Sequence, residues 1–224
     1  MNSQGIQVAI DGPASAGKST VAKLVAKEFE YIYVDTGAMY RAVTLAVLEN
    51  SISLNNEEEI TKLVSDLKID FAPGNPVQKV FLNNKEVTNE IRSNEVNNNV
   101  SLIASYEGVR KELVKQQQMI ANSSSVVMDG RDIGTTVLPN ADLKIFLIAS
   151  VEQRAERRYK ENQENGIDIS FDDLKKSISN RDYKDTHRDI SPLRKAKDAY
   201  EIDSTSKGVS EVVDEISSLI KQKI

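Results

Sequence analysis

Residues 11–20 read DGPASAGKST. Within them Gly12 and Gly17 bracket four residues, and Lys18 and Ser19 follow at once, which is the G-x4-G-K-[ST] spacing of a phosphate-binding loop. Glycines let backbone N–H groups approach phosphate oxygens closely, and the N-terminus of a following helix adds its dipole. On this reading Lys18 bridges the β- and γ-phosphates of a nucleoside triphosphate, and the Ser19 hydroxyl ligates Mg²⁺. The context agrees. Ile6 to Ile10 is a short apolar strand, and Val21, Leu24, Val25 and Phe29 recur at helical spacing behind the loop.

Outward from this loop the chain alternates strand and helix. YIYV (31–34) is a second strand ending at Asp35, and Met39, Ala42, Val43 and Ala46 mark the next helix. Ile60, Leu63, Val64 and Leu67 mark another. SVVMD (125–129), LKIFLIAS (143–150) and YEIDS (200–204) read as further strands, and residues 89–121 carry helical periodicity. Ser150 with Gln153 opens an arginine-rich helix, Ser170 opens another, and Val209, Val212, Val213, Ile216 and Ile220 stripe the last one. The pattern predicts an α/β fold: a P-loop core with a parallel sheet flanked by helices. Two segments interrupt it. Residues 68–88 alternate around Pro73-Gly74-Asn75-Pro76 and an Asn-Asn turn, predicting a small antiparallel insertion. Residues 154–188 read as two helices around the polar break NQENGID (162–168). The whole chain, 1–224, reads as one P-loop domain carrying both.

Composition narrows the chemistry. The chain of 224 residues has no cysteine and a single histidine, His187, so thiolate nucleophiles, Cys-ligated zinc and His-paired acid–base catalysis are excluded or nearly so. A net charge of −5 argues against general nucleic-acid binding. No apolar run reaches the roughly 18 residues of a membrane span, and the first ten residues lack the features of a secretory signal, so a cytoplasmic protein is expected. Against the acidic background the arginines cluster, as a pocket for a small anion requires, although solvated helix faces would look the same for part of them.

The class of P-loop protein follows from what accompanies the loop. No guanine-reading Asn-Lys-x-Asp is present, and the strand ending at Asp129 continues with Gly130 rather than the Glu that polarises water in mechanical ATPases. Either Asp129 or Asp35 could assist the metal, and either could instead cap the helix that follows. A kinase for a hydroxyl needs a base. A kinase for a phosphate monoester does not, because a second pKa near 6 leaves the acceptor mostly dianionic at pH 7. Its difficulty is uniting two polyanions, which arginines solve by bidentate binding and permanent charge. One histidine and many arginines fit a nucleoside monophosphate kinase.

The chain carries IDGPASAGKST, VDTGAMYR, EIRSNEV, MDGRDIGT, FLIAS with RAERR, and NRDYKDTHRDISPL. Nearly end to end, the chain resembles the bacterial cytidylate kinases, with Thr36 where the familiar pattern has serine. The resemblance implies ATP + CMP (or dCMP) → ADP + CDP (or dCDP) with Mg²⁺, and residues 154–188 as a short helical lid; a monomer is expected. It implies ATP contacts from Asp11, Gly12, Pro13, Ala14, Ser15, Ala16, Gly17, Lys18, Ser19 and Thr20. Arg157, Arg158 and Arg181 close on the donor phosphates, Arg157 and Arg158 competing for one role. Arg41 and Arg131 hold the acceptor phosphate, with Arg92 as helper. Ser101, Arg110 and Asp132 read cytosine, and Thr36, Asp185 and Arg188 contact the sugar. The catalytic set is Lys18, Arg131, Arg158 and Arg181. The metal set is Ser19, Asp129 through water, and, as a rival, Asp35. A carboxylate accepting from the cytosine N4 amine is sound base chemistry, and uracil would face Asp132 with an acceptor. Plainer readings stand beside these: a salt bridge for Asp132, a helix cap for Ser101, and an i,i+3 surface pair for Asp185 and Arg188. His187 has no assigned role.

Overall fold

The computed structural model describes residues 5–74, 77–164 and 166–224, so Asn75 and Pro76 of the expected turn, and Asn165 of the polar break, lie outside the described residues. The chain divides into two compact units, residues 1–33 with 121–224 and residues 34–120.

The first unit is built on β1 (Gln7–Asp11), β6 (Val126–Gly130), β7 (Leu143–Ile148) and β8 (Tyr200–Asp203), with β2 (Ile32–Asp35) at one edge, in the order β2-β6-β1-β7-β8. The boundary between the units falls inside β2. β1 pairs in parallel with both β6 and β7, Ile10 standing opposite Asp129 on one side and Ile145 on the other. β8 adds in parallel to β7. Central strands of such a sheet are covered on both faces, which explains why VAI and VVM are apolar without alternation. Helix α1 (Lys18–Glu28) and helix α8 (Val209–Lys221) contribute Val21, Val25, Val212, Ile216 and Ile220 to one core with Val8, Ile10, Ile145, Leu147 and Ile202. Helices α6 (Val151–Glu164) and α7 (Phe171–His187) pack on each other through Ala155, Leu174 and Ile178, capped by an edge-on contact of Tyr159 with Phe171. Ser170 caps α7 by accepting from the Asp173 N–H, and Ser150 accepts from the Gln153 N–H ahead of α6, as their spacing predicts.

The second unit holds α2 (Thr36–Glu49), α3 (Glu57–Asp66), a three-stranded antiparallel sheet β3 (Ile69–Ala72), β4 (Lys79–Leu82) and β5 (Lys85–Glu86), a 3₁₀ turn (Glu90–Arg92), α4 (Asn94–Ile103) and α5 (Glu107–Ala121). The antiparallel strands fall inside the expected 68–88 segment, yet that segment is only one part of the unit. The helical stretch expected over 89–121 is broken. Ser93 caps α4 through the Val96 N–H, and Ala104 to Tyr106 separate α4 from α5. Met39, Val43, Val47, Ile60, Ile91, Val96, Ile103 and Leu113 are fully buried.

Among the described residues, no helix is long and apolar enough to cross a membrane.

Candidate active site

The phosphate loop joins β1 to α1, and two glycines make its path possible. Gly12 has φ of +152°, and a Cβ placed there would lie 2.1 Å from the Leu147 carbonyl oxygen, so no other residue fits without displacing the loop from β7. Gly17, with φ of +92°, is the N-cap of α1 and has no side-chain partner for the helix N–H groups behind it. Lys18 follows as the first residue of that helix. It is buried, and its Nζ donates to the Pro13 carbonyl at 2.7 Å, folding back over the loop. Burial pushes its ammonium below the ordinary lysine range. Arg131 and Arg181 push the same way, opposed by Asp129 and Asp11. An ammonium so placed gains from any arriving polyanion.

Ser19 Oγ donates to Asp129 Oδ2 at 2.9 Å, and Tyr33 Oη donates to the other carboxylate oxygen at 2.8 Å. Asp129 is the penultimate residue of β6 and is 4% exposed. The strand end therefore delivers a carboxylate beside the loop hydroxyl, and Tyr33 sets its rotation. Magnesium takes hard oxygen donors and needs few from protein when phosphates and water supply the rest. A hydroxyl and a carboxylate meeting at the phosphate loop fit that ion. Asp35 is used differently. Its Oδ1 accepts from the Ala38 N–H at 2.8 Å, capping α2, and its Oδ2 pairs with Arg41 at 3.1 Å. Of the two readings left open for Asp35, the geometry matches the cap.

Asp11 does not turn toward the loop. It is buried, and its two oxygens accept from the Ile133 and Gly134 N–H groups at 2.8 and 2.7 Å. The carboxylate thereby anchors a π-helical turn (Ile133–Val137) immediately after Arg131 and Asp132. Burial raises Asp11 to about 6; the two backbone donors oppose this, Asp132 adds to it and Lys18 counters it. Its side chain thereby supports the neighbouring segment.

The carboxylates and arginines of that segment and α7 pair crosswise. Arg131 Nε donates to Asp185 Oδ2 at 2.9 Å, and Arg188 Nη2 lies 3.6 Å from Asp132 Oδ1. Burial pushes Asp185 up, but Arg131, Arg181 and Arg188 outweigh it and hold the carboxyl below its ordinary range. Asp185 and Asp132 are 8% and 4% exposed, so an exposed i,i+3 pair is not what Asp185 and Arg188 form. The salt bridge foreseen for Asp132 exists, and its partner is another residue assigned to the nucleotide. Arg188 Nε also donates to the Ser191 carbonyl at 2.7 Å.

The two rival arginines of α6 separate. Arg157 Nη1 donates to the Ala16 carbonyl at 3.3 Å, and its Nη2 to the Ser204 carbonyl at 2.6 Å, so it props the phosphate loop against the end of β8. Arg158 is more exposed and pairs with Glu161 one turn along the helix. Sequence reasoning passed over three residues that the structure puts in this region. Arg154 bonds the Ala14 carbonyl and Asp182, Tyr33 holds Asp129, and Ser204 donates to the Ala16 carbonyl. Arg154 was visible in the arginine cluster, but nothing local distinguishes a buried arginine from an exposed one.

In the second unit, Thr36 is buried at the start of α2. Arg110 is 3% exposed, donates to the Ala104 carbonyl at 3.0 Å and lies over the Tyr40 ring, 5.4 Å from its centroid. Ser101 stands inside α4, whose cap is Ser93, so the capping alternative for Ser101 fails. Arg92 is exposed on the 3₁₀ turn, and Thr20 is exposed on α1.

The family model for cytidylate kinase matches residues 8–222. Cytidylate kinases of Leuconostoc mesenteroides and Ligilactobacillus salivarius are 58% and 59% identical over 218 residues, covering 97% of this chain and 97% of each relative. That of Bacillus subtilis is 52% identical over a similar span. Among solved structures, an uncharacterized protein from Eubacterium ventriosum superposes with a TM-score of 0.54 at 12% identity, covering 97% of this chain and 98% of its own, and speaks to the fold alone. With a phosphate loop, a strand-end carboxylate and paired arginines in place, and with relatives this similar across the whole length, the chain belongs to the cytidylate kinase family.

Proposed function

We propose that the chain transfers the γ-phosphoryl group of ATP to CMP or dCMP, giving ADP and CDP or dCDP. One observation carries the reading. The loop lysine, Lys18, feels the charge of Arg131, whose guanidinium is held by Asp185. In this reading Lys18 serves the donor phosphates and Arg131 the acceptor phosphate. An oxygen of the acceptor dianion attacks the γ-phosphorus, the bond to the β,γ-bridging oxygen breaks, and ADP leaves with the electron pair. No base is required, in keeping with a chain that has a single histidine.

In this reading the Gly12–Thr20 loop cradles the ATP phosphates. Arg158 and Arg181 stabilise charge on the transferring group, and Arg157 acts by keeping the loop in place. Asp132 accepts from the cytosine amine and releases Arg188 to the sugar together with Asp185. Arg41, Arg92, Thr36, Ser101 and Arg110 of the second unit contribute to CMP, the strands of residues 68–88 belonging to the same monophosphate-binding part. Residues 154–188 act as the lid. Ser19 and Asp129, the latter through water, would hold Mg²⁺, which when bound neutralises phosphate charge during transfer. The enzyme works as a cytoplasmic monomer.

The test is a coupled ADP-release assay across CMP, dCMP, UMP, dTMP and shikimate. CMP and dCMP are expected to dominate. Preference for any other acceptor would overturn the assignment of the base-reading residues, and no turnover with any of them would leave a non-catalytic nucleotide-binding protein.

A further inference from the structure

None of the proposed nucleotide contacts uses Arg154, yet it is among the most buried charged residues of the first unit, 3% exposed. Its guanidinium reaches three separate parts of that unit. Nε donates to the Ala149 carbonyl at 3.0 Å, just past the end of β7. Nη1 donates to the Ala14 carbonyl within the phosphate loop at 3.1 Å, and also to Asp182 Oδ1 at 3.0 Å. Nη2 donates to Asp182 Oδ2 at 2.6 Å. Asp182 lies on α7 immediately after Arg181, whose charge is felt at Lys18. A planar fork can meet a carboxylate with two nitrogens while a third bonds a carbonyl. A lysine, a single point of charge, cannot.

We propose that Arg154 is a positioning residue for phosphoryl transfer, fixing α7 in register with the phosphate loop so that Arg181 meets the donor phosphates. The apolar contacts of Ala155 with Leu174 and Ile178 hold α6 and α7 together but do not set their register to the loop. The Arg154–Asp182 pair does, because the same guanidinium also binds the Ala14 carbonyl. The inference rests on the proposed role of Arg181 and is separable from it.

The experiment is a cycle of Arg154→Lys and Arg181→Ala, read as kcat on protein whose folded fraction is verified by thermal unfolding. Arg154→Lys alone is expected to lower kcat about 10- to 100-fold, the scale of a small misplacement of a charged group. In the Arg181→Ala background the same change is expected to cost less than about threefold, since the group it positions is gone. Asp182→Asn, which keeps the side-chain shape, is expected to follow the same non-additive pattern and carries the test if Arg154→Lys fails to fold. An equal loss of kcat in both backgrounds would mean a merely structural residue and would overturn the proposal while leaving the role of Arg181 intact. Unchanged kcat for Arg181→Ala itself would overturn that role and this inference together.

Discussion

Replacing Lys18 with Met separates what the loop does for the fold from what it does for the reaction. The side chain is 5% exposed, and burial together with Arg131 and Arg181 disfavours its charge. Met keeps the length of the stem and removes that cost. The change also removes the hydrogen bond to the Pro13 carbonyl, whose loss costs about 1 kcal/mol. These terms oppose, so stability is expected to change by no more than about 1–2 kcal/mol, or a few degrees in Tm for a chain of this size. Turnover responds differently. Removing one preorganised stabiliser of developing charge costs about 3–4 kcal/mol, or 10²- to 10³-fold. Thermal unfolding and the coupled assay with CMP measure the two sides. A Met variant that melts with the wild type yet turns over within about threefold of it would remove the loop lysine from the mechanism.

Three more outcomes are expected. Asp132→Ala loses a buried acceptor and a partner of Arg188; it is expected to weaken CMP but not ATP and to narrow the CMP-to-UMP preference by about 1.5–3 kcal/mol. Unchanged selectivity in steady-state kinetics would show that the base is read elsewhere. Asp11, raised to about 6 in the fold, favours its protonated form there, so its contribution to stability is present at low pH and lost as pH rises through about 6. Unfolding free energies at pH 5 and 7 should therefore show wild type gaining on Asp11→Asn by about 1 kcal/mol on acidification, and a constant difference would contradict the burial argument. Gly12→Ala puts a Cβ against the Leu147 carbonyl; it is expected to destabilise by about 1–3 kcal/mol and to cut turnover at least as steeply as it cuts stability, which activity and Tm measured on the same protein would check.

The core was legible because its signals are local. The glycine spacing of residues 12–19 defines the loop, and apolar runs such as VAI and VVM mark strands covered on both faces. The turn chemistry near residue 83 marks the antiparallel strands, where Asn83 and Asn84 both take positive φ. The site was legible as a set of residue types but not as a set of partners. Asp11 meets Ile133 across 122 positions, Arg131 meets Asp185 across 54, and Arg154 meets Asp182 across 28. No periodicity encodes such pairings, which the fold alone brings about. Two assignments show the consequence. Asp11 belongs to the phosphate-loop motif but supports the segment bearing Asp132. Arg157 and Arg158 are neighbours in sequence, yet one binds the loop backbone and the other pairs along its own helix. Asp35 was ambiguous because a carboxylate after a strand serves a metal or a helix cap equally well until its neighbours are known.

The most direct test of the account is competition. Purified protein is given γ-labelled ATP with Mg²⁺ and an equimolar mixture of CMP, dCMP, UMP, dTMP and AMP, and the labelled products are separated. Label is expected to pass to CDP and dCDP, with one ADP formed for each labelled diphosphate and little labelled inorganic phosphate. Label found chiefly in another diphosphate, or released to water as fast with acceptor as without it, would contradict it.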